Sequence, residues 1–412
     1  MFRYFITTIL VFSSNYCYAE ISDEIFYRNI QRITDPSILE DARLDTFTLI
    51  RKYGYPCEIH RVYTEDGYIL EMHRVPNGKY NAKKGPKPVV LLQHGLLSSS
   101  AEWVLMTPGK GLAYILAEIG YDVWMGNARG NTYSRHHKSL VATSSEFWKF
   151  SWHEIGYYDL PAMIDYVIKE TGAPKIQYIG FSQGTTVFWV MTSTRPEYND
   201  KVSAMQALAP VVYLRNVRSP LVKAIAPFTN TLEIIFKLLG KNELLPNGKI
   251  NELAGQTVCV EEAITQFLCT NLLFLVCGFN EEQLNKTMLP VVMGHTPAGS
   301  STRQFVHFGQ IYKSDEFLQF NHGWIKNKFV YGTFRPPAYN LSAIRTPAFL
   351  HYADNDWLST PNDVHRLSRS LKSVVGKFKV PMPEFNHLDF VFAINATNYI
   401  YSRLINIMEQ FK

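Results

Sequence analysis

Apolar residues along this chain follow two different periods. Val89-Val90-Leu91-Leu92-Gln93 and Tyr121 to Met125 are continuous runs bounded by turn residues, the pattern of strands buried on both faces of a parallel sheet. Apolar positions recur at helical spacing over Gly111 to Ile119 and over Leu160 to Glu170, where Met163, Ile164, Val167 and Ile168 share one face. Lys175 to Ile179 then reads as a further strand after the Gly172-Ala173-Pro174 break. Upstream, Asp45 to Tyr53 reads as a short helix that runs out at Gly54, and Glu58 to His73 as two strands around Thr64-Glu65-Asp66-Gly67. Asn77 to Pro88 is a polar loop. The order is βαβ. From about Tyr213 to Pro337 this rhythm gives way to apolar helical segments, among them Val222 to Leu239 and Ile264 to Phe279. Strand-like sequence returns at Ala348 to Tyr352 and around Phe378 to Val380, before a closing helix from Thr397 to Gln410. The pattern predicts an α/β core in two parts, residues 20–212 and 338–412, bracketing a mainly helical insertion over 213–337.

The N-terminus carries a single charge, Arg3, then an apolar run from Tyr4 to Phe12 and a polar stretch ending Cys17-Tyr18-Ala19. This reads as a secretory signal over residues 1–19 with cleavage after Ala19, since the run is too short to span a bilayer. Export implies an oxidising compartment, and the four remaining cysteines, Cys57, Cys259, Cys269 and Cys277, allow three full pairings. Cys259 with Cys269 is the natural pair, closing a short loop worth roughly 2–3 kcal/mol, and four buried thiols are the alternative. Sequons at Asn285, Asn340 and Asn395 fit the same compartment. With 46% hydrophobic and 19% charged residues the 412-residue chain is globular, and 41 basic against 36 acidic residues is too even a balance to call for a nucleic-acid partner.

Candidate chemistry begins at Gly180-Phe181-Ser182-Gln183-Gly184, which follows the strand Lys175 to Ile179 and precedes a segment, Thr185 to Met191, able to continue as a helix. That is G-x-S-x-G in the strand-to-helix setting of a nucleophile elbow. A serine hydroxyl is a poor nucleophile unless a histidine takes its proton and an acid orients the histidine, and in this fold acid and base follow the serine in that order. Ala353-Asp354-Asn355-Asp356-Trp357 after a late strand offers two acids, and position alone leaves Asp354 and Asp356 both open. His387, in Phe385-Asn386-His387-Leu388-Asp389-Phe390 after the last strand, is the candidate base. Oxyanion donors are expected at the backbone amides of Gln183, directly after the nucleophile, and Leu97, in the loop His94-Gly95-Leu96-Leu97. No C-x-x-C or H-E-x-x-H is present to suggest a metal, and His136-His137 reads as a pair of solvated histidines in a basic loop.

Taken together, Gln93-His94-Gly95-Leu96-Leu97, Gly126-Asn127 with Arg129-Gly130-Asn131-Thr132, Tyr158-Asp159-Leu160-Pro161-Ala162, Ser182-Gln183-Gly184-Thr185-Thr186, His295 with Pro297-Ala298-Gly299, and Asn386-His387-Leu388-Asp389-Phe390 resemble the acid lipase family of gastric and lysosomal lipases. The resemblance runs in one order from about Asp45 to the C-terminus. It implies an α/β-hydrolase core with a mostly parallel sheet and an inserted helical cap and lid, acting on water-insoluble acyl esters at a lipid interface without a cofactor. It further implies Ser182 as nucleophile, His387 as base, Leu97 and Gln183 as oxyanion donors, and Asp356 as the acid, because the family's acid precedes an aromatic or Leu and then Leu, as Asp356 precedes Trp357-Leu358. Cys259 and Cys269 resemble the family's disulfide pair and Cys277 its free thiol. The chain departs from the pattern at Phe181, where family members have His, and at Ala353-Asp354, where they have two glycines.

The expected activity is hydrolysis of lipid esters such as triacylglycerol or cholesteryl ester, in a secreted or lysosomal protein. Ile264 to Phe279, apolar but too short and interrupted for a membrane span, is the expected lid or lipid-facing rim, with a plain cap core as the bland reading. A hydrolase of small soluble esters and a non-catalytic lipid carrier on the same scaffold are the competing readings.

Overall fold

The computed structural model describes residues 35–82, 85–228, 231, 242–245 and 274–412. Its centre is a nine-stranded sheet in the order β1-β2-β4-β3-β6-β7-β10-β11, with β5 paired to β2. The strands are β1 (Glu58–Tyr63), β2 (Tyr68–Val75), β3 (Val89–Gln93), β4 (Asp122–Gly126), β5 (His136–His137), β6 (Ile176–Phe181), β7 (Val202–Leu208), β10 (Ala348–Tyr352) and β11 (Val374–Lys379); β8 (Glu243–Leu244) and β9 (Ser300–Ser301) form a separate antiparallel pair. β2 is antiparallel to β1, β4 and β5, and β4, β3, β6, β7, β10 and β11 run parallel. Every residue of β3 and β4 is buried, as their unbroken apolar sequences predict. Alternate residues feed opposite cores. Leu91 and Trp124 pack on one face with Trp152, Phe188 and Trp189, while Val90, Leu92, Val123 and Met125 pack on the other with Leu112, Leu116 and Leu404.

The helices expected over Asp45 to Tyr53, Gly111 to Ile119 and Leu160 to Glu170 form as Thr46–Lys52, Leu112–Glu118 and Leu160–Thr171. Asp45 accepts the Thr48 amide at 2.7 Å to open Thr46–Lys52, and Gly172, at φ +68°, closes Leu160–Thr171 in the left-handed conformation. One central strand, β7, carries no such signal. Ser203, Ala204, Gln206 and Ala207 give Val202–Leu208 little β character, yet it lies between β6 and β10. Its Gln206 is buried because His351 of β10 sits 2.8 Å away, and burial pushes that histidine down to about 3, so that a neutral ring donates to the Gln206 carbonyl.

Of His136-His137, expected as solvated histidines in a basic loop, His136 is exposed and His137 is not. The pair forms β5 against β2, and the His137 ring is half-buried, with Nε2 2.9 Å from the Asp66 carbonyl and Nδ1 accepting the Ser139 and Leu140 amides. It is a turn-holding residue. Within 213–337 the described residues form helices Pro220–Ile225, Leu289–His295, Thr302–Ser314 and Trp324–Tyr331, together with β8 and β9. Ile311 and Phe317 join the core around Trp152, whereas Met288, Val291 and Val292 join the opposite one. The signal segment, Cys17, Cys259, Cys269 and most of Val222 to Leu239 and Ile264 to Phe279 lie outside the described residues.

Candidate active site

The carboxyl ends of β3, β6 and β10 converge where β3 has β4 on one side and β6 on the other, the switch point at which open α/β sheets bind ligands. There β6 turns sharply into the helix Gln183–Thr194, with Ser182 at φ 51°, ψ −116°. A non-glycine residue in that region costs on the order of 1–3 kcal/mol and persists only where its surroundings enforce it. The Ser182 amide donates to the Leu208 carbonyl at 3.0 Å and its carbonyl accepts the Thr185 amide at 2.9 Å. The flanking glycines are required by space: a Cβ on Gly184 would lie 2.2 Å from the Gln93 carbonyl oxygen, and one on Gly180 2.7 Å from the Gly184 backbone.

The turn aims Ser182 at His387. Ser182 Oγ lies 2.8 Å from His387 Nε2, and His387 Nδ1 lies 2.8 Å from Asp356 Oδ2. The other carboxylate oxygen of Asp356 accepts the amides of Leu358 at 2.9 Å and Ser359 at 2.7 Å, so the group is fully engaged although fully buried. A hydrogen on Nδ1 would point at Asp356 Oδ2 and leave the Nε2 lone pair facing Ser182 Oγ. Asp354, the other acid the sequence left open, pairs with Lys379 at the surface, 2.9 Å away.

Two carbonyl and carboxyl groups brace the acid and base loops against each other. The Cys277 carbonyl accepts the amides of both His387, at 3.3 Å, and Trp357, at 3.4 Å. Asp389 accepts the Asn386 amide at 2.7 Å and the Asn280 side chain at 2.6 Å, and Asn386 donates to the Gly278 carbonyl at 3.0 Å. Burial pushes Asp389 up to about 7. Asn280, Gly278 and the Cys277 carbonyl were not singled out in the sequence for this role; a Cβ on Gly278 would sit 2.2 Å from the Asn355 carbonyl oxygen. Cys57 and Cys277 are free thiols, both pushed up by burial, Cys57 to about 12. An apolar recess beside this loop is lined by Met106, Phe274, Met288, Leu289, Leu388 and Phe392.

The loop after β3 carries the second expected donor. Leu97 is held at φ 61°, and its carbonyl accepts the Ala298 amide at 2.6 Å, which ties it to the His295–Gly299 segment. Gln183 opens its helix, where amides lack intrahelical acceptors, and its side chain donates to Gln304 at 2.7 Å. His94 lies beneath as a structural residue: Nδ1 donates to the Gly95 carbonyl at 2.7 Å, Nε2 accepts the Ala128 amide at 3.1 Å, and burial pushes the ring down to about 4. Arg129, fully buried, donates to both Asp159 at 2.7 Å and Asp66 at 2.6 and 2.9 Å and covers the Tyr68 ring. The Gly126–Thr132 and Tyr158–Ala162 motifs are thus the frame under the loop after β3. Asn340 and Asn395 are exposed and Asn285 half-buried. Among the described residues no group of three His, Cys, Asp or Glu side chains could hold a metal ion, and no helix is long and apolar enough to cross a membrane.

A model of a partial alpha/beta-hydrolase lipase region matches residues 46–107, and a model of the alpha/beta hydrolase fold matches residues 88–393. The chain is 46% identical to Lipase 1 of Drosophila melanogaster over 92% of its length and 82% of that protein. It is 40% identical to the gastric triacylglycerol lipase of Rattus norvegicus, over 90% of this chain and 92% of that one. The human lysosomal acid lipase/cholesteryl ester hydrolase is 39% identical at the same coverage of the two chains. Among solved structures, one of a putative lipase from Sulfolobus solfataricus superposes with a TM-score of 0.57 at 14% identity, covering 86% of this chain and 94% of that one, a likeness of fold.

Proposed function

The chain belongs to the acid lipase family of α/β-hydrolases and hydrolyses lipid esters, and from that premise we propose that Ser182, His387 and Asp356 form its catalytic triad and that long-chain triacylglycerol or cholesteryl ester is its substrate. The observation that carries the triad is the hydrogen-bonded chain from Ser182 Oγ through His387 to Asp356, 2.8 Å at each link.

In this mechanism Ser182 attacks the ester carbonyl carbon while His387 Nε2 takes the hydroxyl proton. Asp356 keeps the imidazole oriented and stabilises it once charged. The tetrahedral oxyanion receives the amides of Leu97 and Gln183, which are oriented before substrate arrives. His387 returns its proton to the departing alcohol, leaving a fatty acyl ester on Ser182, and a water activated by the same nitrogen releases the acid. Strain at Ser182 and the two fixed loops place these groups at no cost during reaction.

The protein is exported after cleavage at Ala19 in this reading, to the lysosome or outside the cell, with Cys259 and Cys269 bridged and glycans on Asn285, Asn340 and Asn395. The two exposed sequons and the gastric and lysosomal relatives support it.

The test is fatty-acid release from emulsified long-chain triacylglycerol and cholesteryl ester, comparing wild type with Ser182→Ala. Release by wild type that falls at least ~10³-fold in the variant is expected. Preference for dissolved short-chain esters would instead favour a soluble esterase, and an inert wild type that still takes up lipid would favour a carrier.

A further inference from the structure

The helix Trp324–Tyr331 is built inside out. Its buried, inward position is a polar one: Asn327 is 1% exposed, donates to Asn321 at 2.8 Å and to the Phe334 carbonyl at 3.0 Å, and accepts the His322 amide at 2.9 Å. Tyr331, one turn on, donates to the Phe320 carbonyl at 2.8 Å. These bonds hold the helix to the molecule. The outward positions are the apolar ones, with Phe329 85%, Trp324 66% and Ile325 64% exposed, and Val330 and Phe334 beside them half in solvent. A helix that only had to be soluble would place these residues the other way round. Trp324 stacks on Phe334 with ring centroids 4.7 Å apart, which fixes two aromatic faces side by side instead of leaving them loose.

Charge narrows what such a face meets. Lys326 and Lys328 lie on the same helix, and among the described residues no carboxylate pairs with either. The chain has no Asp or Glu between Glu316 and Asp354, and Glu316 is taken by Arg335. Lys328 lends one N–H to the Gly332 carbonyl at 2.8 Å and lies over the Phe334 ring, but its charge, like that of Lys326, meets no carboxylate among the described residues. Exposed Trp and Phe flanked by such lysines match a lipid surface of negative charge: the rings enter the headgroup boundary and the ammoniums remain with the phosphates and carboxylates. The patch is also tied to the site. Arg303 lies over the Phe320 ring at 4.3 Å and donates to His322 at 3.2 Å, and its neighbour Gln304 accepts from Gln183, the residue after the nucleophile.

We propose that the face formed by Trp324, Ile325, Phe329 and Phe334, with Lys326 and Lys328, is a docking surface for an anionic lipid surface, which seats the enzyme on its substrate phase. This rests on the lipid-esterase reading for its purpose, but its test does not. The full secreted chain is sedimented with phosphatidylcholine vesicles with and without phosphatidylserine, and assayed separately on a dissolved short-chain ester. Wild type is expected to partition preferentially onto the phosphatidylserine vesicles. The double variant Trp324→Ser, Phe329→Ser is expected to lose tenfold or more of its partitioning onto either, with hydrolysis of the dissolved ester unchanged, which also reports that it folds. Lys326→Gln with Lys328→Gln is expected to abolish the preference for phosphatidylserine while leaving the residual binding. Equal partitioning of wild type and the aromatic variant overturns the proposal. So does a shift of the aromatic variant from dimer to monomer without a change in vesicle binding, which would assign the face to a second copy of the chain. Vesicle binding with no ester hydrolysis of any kind would leave this surface standing and remove the enzymatic reading instead.

Discussion

Two carboxyl groups are buried at the same edge of the sheet, and they are treated in opposite ways. Asp356, after β10, accepts three hydrogen bonds, from two backbone amides and from His387, within 2.9 Å. Glu102, in the turn after β3, accepts one backbone amide, that of Gly95, at 3.3 Å, with the Ser98 side chain as its other donor. Among the described residues no cation faces Glu102. Burial alone pushes it up to about 8, so at neutral pH it is a neutral acid lying under the oxyanion loop. Burial therefore does not decide what a carboxyl does. The donors around it do, and the loop after β10 supplies more of them, at shorter distances, than the turn after β3.

The sharpest way to break this contrast is at Asp356. Asp356→Asn keeps the shape but offers the Nδ1 side an amide, so the imidazole loses its orienting acceptor; kcat should fall ~10³–10⁴-fold on dissolved and emulsified esters alike. A loss under tenfold would remove Asp356 from the triad. At Glu102 the expected effect is on stability. Its native affinity for a proton is raised from 4.5 to about 8, so the unfolded chain releases that proton first and stability is lost as pH climbs between these values. Glu102→Gln should therefore match wild type near pH 4 and become the more stable protein, by on the order of 3–5 kcal/mol, by pH 8. Thermal unfolding of both across that range reads it, and a constant offset at all pH values would mean that Glu102 is not titrating in the fold. The smallest effect is expected at Asp389, which sits between the two cases, with two donors and a value raised to about 7. Asp389→Asn keeps most of those contacts and should change stability by less than about 1.5 kcal/mol at acid pH, with kcat within about threefold. A tenfold fall in kcat would make the Asn386–Asp389 brace part of the positioning of His387.

Much of the frame was legible in the chain because it rests on burial, which leaves a residue-by-residue mark. The unbroken apolar runs of β3 and β4, the 3.6-residue spacing of Leu160–Thr171 and the break at Gly172 each report what a short segment needs. The strand β7 left no such mark because part of its burial is purchased by a polar pair, Gln206 with His351, whose members are 145 residues apart. The same holds for His137, which looks solvated until the Asp66 carbonyl is placed beside it.

The sequence by itself determined the fold class, the strand-to-helix turn around Ser182 and the order along the chain of Ser182, Asp356 and His387. Tertiary structure alone decided that the Cys277 carbonyl joins the Asp356 and His387 loops, and that Glu102 is given fewer and longer hydrogen bonds than Asp356. It also decided that the helix Trp324–Tyr331 shows its aromatic side to solvent. The reason is one of range. Periodicity and turn chemistry are set by neighbours a few residues away, whereas Ser182 and His387 are 205 positions apart and meet only once the whole sheet has brought its strand ends together.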